Sequence, residues 1–213
     1  IGLWAVEVWL RLGAPERFRL VEVGPGDGTL MDDALRAAAG AAGVAPGFLE
    51  SCDLVLIEPS PPLRDAQARR LADADVAPRW VRSLAQVETD APVILIANEV
   101  LDCLPARQFV RTEGGWAERR VGVSDDGALV FGLTAVTGGF APPPFEVEPG
   151  QLVELSEQQA LFGRDLGALV RAASGAALLI DYGRARPEAG DTLQALKRHA
   201  KVDPLAEPGQ GID

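Results

Sequence analysis

The chain alternates short, continuous apolar runs with segments of helical spacing. Leu20, Val21 and Val23, then CDLVLI over 52–57, APVILIA over 91–97 and AALLI over 176–180 each have the unbroken β-branched character of a strand buried on both faces. Trp80, Val81 and Leu84 predict a shorter strand and turn between the second and third of these. Helical spacing fills the gaps. Residues 1–12 are too crowded with apolar side chains for a surface helix and predict one packed over the sheet edge, ended by Gly13 and Pro15, its tryptophans in the core. Residues 31–42 predict a helix stopped by Gly40, Gly43, Pro46 and Gly47. Over 62–72, Leu63, Ala66 and Leu71 face inward and Arg64, Asp65, Arg69 and Arg70 form a solvated face. Ser156 followed by Gln159 makes a capping box that starts a helix running to Ala173.

One stretch interrupts the alternation. Residues 106–123 predict a hairpin about Gly114 and Gly115, a further strand follows at 128–133 after Asp125-Asp126-Gly127, and 137–149 is a glycine- and proline-rich loop or lid. Residues 151–155 are a short strand, the Gly190-Asp191-Thr192-Leu193 stretch leads into a last strand or helix through Lys197, and the tail from Asp203 is loop. The pattern predicts one α/β domain over 1–213: a parallel sheet with helices on both faces and an antiparallel insertion at about 106–150.

Chemistry concentrates where strands end. FRLVEVGPGDGTLM, from Phe18 to Met31, reads strand, glycine loop, helix, so that Gly24, Gly26 and Gly28 let a ligand approach the backbone and the amides at Thr29 and Leu30 open a helix. The spacing is G-x-G-x-G rather than the dinucleotide G-x-G-x-x-G, and Glu22 stands two residues before the first glycine. A carboxylate there repels a pyrophosphate and attracts an amine or sulfonium, which makes S-adenosylmethionine the fitting cofactor; a glycine triplet alone is more often a tight turn with no ligand. Glu58, followed by Pro59 and Ser60, ends the second strand where a ribose is held by a carboxylate, or where a strand-end acid is simply solvated. Asn98, Glu99 and Asp102 follow the third apolar run, where they could grip a nitrogen-bearing substrate, or where Asn98 could cap a helix with Glu99 in its first turn. Asp181 and Tyr182 close the last apolar run.

Composition narrows the classes. With 213 residues, a net charge of -11 and 47% hydrophobic residues, the chain suits one globular core, disfavours a phosphate-tracking nucleic-acid surface and favours a cationic partner. Cys52 and Cys103 have no paired spacing, so neither a disulfide framework nor a metal site is expected. The one histidine, His199, reads as structural or surface, and no G-x-S-x-G is present. No apolar run reaches the ~18 residues of a membrane span and no signal peptide is visible, so the bacterial cytoplasm or an organelle matrix is the expected compartment. The first residue is Ile1, which suggests a longer parent chain.

Taken together, VEVGPGDGTLMDDALR, LVLIEPSPPLRDAQ, ILIANEVLDCLPARQF, WAERRV, AALLIDYG and GDTLQALKRHAKVDPLA resemble the MidA-like family of S-adenosylmethionine-dependent methyltransferases. That family's mitochondrial member assists respiratory complex I assembly by methylating an arginine of a core subunit. The resemblance spans Val21 to Ala206, and NE-x-x-D-x-LP with IDYG and GDTLQ carries more of it than the glycine loop. It implies a Rossmann-like class I methyltransferase sheet, flanking segments at both ends, and a protein client such as a complex I subunit, in the mitochondrial matrix if the source is eukaryotic. It further implies cofactor contacts from Glu22, Gly24, Gly26, Gly28, Thr29, Leu30, Glu58, Pro59, Ser60 and Asn98, a catalytic group of Asn98, Glu99 and Asp102, and substrate contacts from Asp181 and Tyr182. Asp27 departs from the family's common arginine, and Val100-Leu101 from its two phenylalanines, which alters the substrate pocket more than the donor site. Two other readings compete: an NAD-dependent oxidoreductase, disfavoured by the loop spacing and Glu22, and a non-catalytic assembly factor that keeps the cofactor fold.

Overall fold

The computed structural model describes residues 1–183, 186–198 and 200–208, in two compact units. His199 lies outside the described residues. The first unit holds residues 1–104 and 159–182. Its elements are α1 (Gly2–Arg11), β1 (Phe18–Val23), α2 (Thr29–Gly40), β2 (Cys52–Ile57), α3 (Pro61–Arg70), β3 (Pro78–Val81) and β4 (Val93–Asn98), followed after the second unit's strands by most of α4 (Glu157–Ala172) and β9 (Ala176–Ile180). All five strands run parallel in the order β3-β2-β1-β4-β9. The chain moves outward from β1 through β2 to β3 and then crosses to β4 on the other side. β1 and β4 therefore flank the point where strand order reverses, the place at which open α/β sheets bind ligands beyond their carboxyl ends.

Alternation along these strands builds two half-cores. Leu20, Leu54, Leu56, Ile94 and Ile96 face α1 and α2, with Trp9, Phe18 and Phe48 in mutual ring contact at centroid separations of 4.9 to 6.3 Å. Val21, Val55, Ile57, Val93 and Leu95 face Leu166 and Leu169 of α4. Each such side chain contributes about 1.5–3 kcal/mol on burial, which is why the apolar runs were legible.

Three sequence expectations change. α1 lies on the sheet face against α2, with Ala5, Val6 and Trp9 in the core, rather than over an edge. In α3, Leu63 is exposed, and the residue turned fully inward is Gln67. β9 is the edge strand of its sheet, so Leu179 and Ile180 are exposed rather than buried.

The second unit holds Pro105–Gln158 and the described residues from Gly183 on. β5 (Arg107–Thr112), β6 (Gly115–Val123), β7 (Leu129–Ala135) and β8 (Leu152–Leu155) form an antiparallel sheet in the order β7-β6-β5-β8. Thr112 pairs with Gly115, so the hairpin turns at Glu113 and Gly114. Phe109, Val147 and Val153 make its core, with Phe140 stacked 4.1 Å from Phe109. The Gly190-to-Leu193 stretch is fastened to this sheet: Gly190 N–H donates to Leu152 O, Arg119 grips Asp191 through two bonds of 2.7 and 2.9 Å, and Thr192 donates to Glu154. It leads into a strand, β10 (Ala195–Lys197), paired with β11 (Ala200–Val202). Among the described residues no helix is long and apolar enough to cross a membrane.

Candidate active site

The β1–α2 loop turns through three left-handed glycines, Gly24, Gly26 and Gly28, at φ of 62°, 56° and 88°. Gly24 N–H donates to Ile57 O, tying the loop to the end of β2. A side chain at Gly24 would meet Val100, so this loop also lies against the turn after β4. Thr29 donates its hydroxyl and amide to Asp27 Oδ1, and Arg70 pairs with Asp27 Oδ2 at 3.0 Å. These bonds hold the Asp27 carboxyl below its ordinary range, the Thr29 bonds most. Asp27 thus has a structural task, and the Thr29 hydroxyl is already engaged. Leu30 is half-buried against the core, with its amide in the first helical turn.

Glu22 lies near the end of β1, level with Leu56 and Ile96, and is 2% exposed. Its Oε2 is shielded and has no hydrogen-bond partner among the described residues. Burial alone pushes its pKa up to about 7, so the free protein disfavours the fixed charge the sequence suggested. Glu58 stands just past β2, also buried. Its Oε1 accepts the Ser60 amide at 2.8 Å, its Oε2 accepts Gln67 Nε2 at 3.4 Å, and its own carbonyl accepts Arg64 Nε at 2.6 Å. Each carboxylate oxygen keeps a further lone pair, enough to accept a pair of vicinal hydroxyls. Pro59 is exposed beside it. Arg64, assigned by its spacing to a solvated face, is half-buried on this turn.

Beyond β4 no helix begins, which removes the capping reading of Asn98. Asn98 is the last residue of β4, level with Ile180, and Glu99 turns the chain at φ 50° while donating its amide to Ile180 O at 2.8 Å. A left-handed non-glycine residue costs about 1–2 kcal/mol and leaves Glu99 exposed at the sheet's carboxyl end. Asp181 fixes this turn, accepting Leu101 N–H at 2.8 Å and Tyr182 N–H at 3.0 Å. Tyr182 Oη donates to Asp102 Oδ2 at 2.9 Å, while Asp102 Oδ1 is shielded and has no partner among the described residues. Asp102, Asp181 and Tyr182 therefore form one cluster, with Asp181 holding backbone and Asp102 offering an open acceptor.

Gln67 and Trp80 were missed. Gln67 Nε2 donates to Gly26 O at 2.8 Å, and Trp80 Nε1 donates to Gln67 Oε1 at 2.8 Å. The available signal was a lone polar residue midway between Leu63 and Leu71 in a helical stripe.

An open parallel sheet with a carboxylate-preceded G-x-G-x-G loop at its reversal point defines a Rossmann-like fold of the class I methyltransferase kind. The solved structure of a Burkholderia thailandensis protein bound to S-adenosyl-homocysteine superposes with a TM-score of 0.75 at 27% identity, over 99% of this chain and 55% of that one. The chain belongs to the family described as "Putative S-adenosyl-L-methionine-dependent methyltransferase", whose model matches residues 1–211. Relatives include "Protein arginine methyltransferase NDUFAF7, mitochondrial" of Xenopus tropicalis, 30% identical over 98% of this chain and 53% of the relative. The Drosophila melanogaster homologue is 31% identical over 98% and 52%. The chain thus spans about half the length of the relatives it matches.

Proposed function

We propose that this protein is an S-adenosylmethionine-dependent methyltransferase acting on an arginine side chain of a protein client. The observation that carries the cofactor is Glu22: a shielded, unpartnered carboxylate oxygen two residues before a left-handed glycine loop, which a cationic ligand would complete. In this reading Glu22 and the backbone of Gly24, Gly26, Gly28, Thr29 and Leu30 hold the amino-acid end of the donor. Glu58, with Pro59 and Ser60 shaping its turn, holds the ribose hydroxyls, and Asn98 lines the crevice between β1 and β4. Bound there, the donor supplies an electrophilic methyl group.

The chain's own residues then align the nucleophile and exclude water. Arginine is a poor nucleophile because its charge is delocalised over the guanidinium and its pKa exceeds ~12. Glu99 and Asp102, pairing with one edge of that plane, would draw positive charge toward themselves, leave the far nitrogen more nucleophilic, and give the proton lost on methylation somewhere to go as S-adenosyl-homocysteine departs. The shielded Asp102 Oδ1 is the open acceptor for a guanidinium N–H. Asp181 and Tyr182 set the Asp102 geometry, and the net charge of -11 suits a basic client segment. We read the antiparallel unit as an insertion within one methyltransferase domain, and the client as a respiratory complex I subunit or a similar protein, met in the bacterial cytoplasm or the mitochondrial matrix.

Incubation of the protein with labelled donor and client lysate, followed by mass spectrometry, is expected to place label on arginine. Glu99→Gln should slow that transfer while leaving S-adenosyl-homocysteine binding intact. Unchanged turnover removes Glu99 from the chemistry, and absence of any transferred label removes the enzymatic reading in favour of a non-catalytic assembly factor.

A further inference from the structure

Gln67 has no solvent exposure, and a buried carboxamide costs free energy unless its bonds are made. Three of its bonding directions are filled, and the partners leave no ambiguity about its orientation. The Trp80 indole can only donate, so Oε1 faces it; the Gly26 carbonyl and the Glu58 carboxylate can only accept, so Nε2 faces both, at 2.8 and 3.4 Å. Packing repeats the link, because a Cβ at Gly28 would stand in van der Waals contact with Gln67 Cα at 3.4 Å. One carboxamide thus joins the loop after β1, the acid after β2 and the indole of β3.

We infer that Gln67 is a positioning residue of the cofactor site, locking the glycine loop and the Glu58 carboxylate into one spacing so that a nucleoside joined to an amino acid meets both at once. The inference rests on the donor site proposed above. Three alternate left-handed glycines, Gly24, Gly26 and Gly28, give the loop little intrinsic rigidity, and in the proposed site the two ends of the ligand are held by different elements. Fixing their separation before binding removes an ordering cost from association. Trp80 acts one step further out, by holding Oε1 and so aiming both Nε2 protons.

The test uses the whole chain with S-adenosyl-homocysteine and adenosine as calorimetric probes, on wild type, Gln67→Met and Trp80→Phe, with ligand-free melting curves for each. Gln67→Met is expected to weaken S-adenosyl-homocysteine roughly tenfold, the worth of one hydrogen bond to a positioned partner, and adenosine roughly threefold, since adenosine engages only the Glu58 end. Donor KM should rise in step with the first loss, with kcat at saturating donor within about twofold of wild type. Trp80→Phe should weaken S-adenosyl-homocysteine roughly two- to fivefold. A wild type that binds with Gln67→Met and Trp80→Phe folded and equally tight overturns the role of Gln67 and leaves the donor site standing. Equal loss for both probes, or a fall in kcat with unchanged KM, also overturns it. If Gln67→Met does not fold, Trp80→Phe decides by the same affinity criterion. A wild type that binds neither probe fails the donor site itself, and the role of Gln67 falls with it.

Discussion

Glu22 and Glu118 are carboxylates of nearly equal burial, 2% and 3% exposed, and the protein treats them in opposite ways. Glu118, in the antiparallel unit, is clasped by Arg107 through bonds of 2.9 and 2.8 Å, with Arg120 at 3.0 Å, and Arg107 first among these pulls its pKa down to about 2. Arg107 in turn donates to the carbonyls of Thr137 and Gly139, so the pair fastens a loop. Glu22, at the carboxyl end of the parallel sheet, has no such partner, and burial pushes it up to about 7. The same contrast separates the two ends of that sheet. At the amino end, buried Arg19 faces Asp53, Glu88 and Asp90, the last at 2.5 Å. Arg19 and Glu118 have their counter-charges within the chain; Glu22 has none among the described residues, and in the reading proposed above a cationic ligand supplies it.

The sharpest way to break that contrast is at the paired acid of the ligand end. Glu58→Ala removes the carboxylate proposed above to hold the ribose hydroxyls and is expected to weaken S-adenosyl-homocysteine by about 100-fold or more in calorimetry. Glu22→Gln tests the cost of the bare charge. Its folded pKa lies above its unfolded value, so the folded state binds more protons between about 4.5 and 7, and wild-type stability falls as pH rises through that window. Urea titrations at pH 8 should find Glu22→Gln more stable by about 3 kcal/mol, with the difference vanishing below the unfolded carboxylate pKa. Curves that run parallel across the window contradict the assignment. Arg107→Met strips Glu118 of its main partner and is expected to lower the melting temperature by several degrees. Because the Glu118 pKa is depressed, its contribution is present above about 4.5 and lost as pH falls toward about 2; that acid limb should flatten in Arg107→Met. Pairing it with Glu118→Gln should recover part of the loss. The smallest effect is expected from Tyr182→Phe, which removes the donor on Asp102 and should raise client KM about two- to fivefold without changing cofactor affinity.

Much of the parallel unit was legible because its strands are buried on both faces and leave continuous apolar runs, and because the glycine loop needs backbone that other residues rarely adopt. What escaped depends on side chains brought together from a distance. Leu63 looked like the inward anchor of α3 by spacing, but Gln67 takes that place because its partners on Gly26, Glu58 and Trp80 make a polar group welcome there. The left-handed turn at Glu99 had no local signal, since it is imposed by the bond to Ile180 and by Asp181 gripping Leu101. The insertion was legible as a hairpin and one further strand, yet β8 and Asp191 join it from far along the chain through Glu154 and Arg119. Glu22 was legible as an acid in an apolar strand; its lack of a partner was not.

The most direct measurement is the proton balance of donor binding, obtained by titrating S-adenosylmethionine into the protein at pH 7 in buffers of differing ionisation enthalpy. A cation completing Glu22 should expel the proton that burial retains, giving a net proton release on binding that is absent in Glu22→Gln. Tight binding with no proton released, or the same release from Glu22→Gln, would contradict the assignment of that carboxylate to the donor.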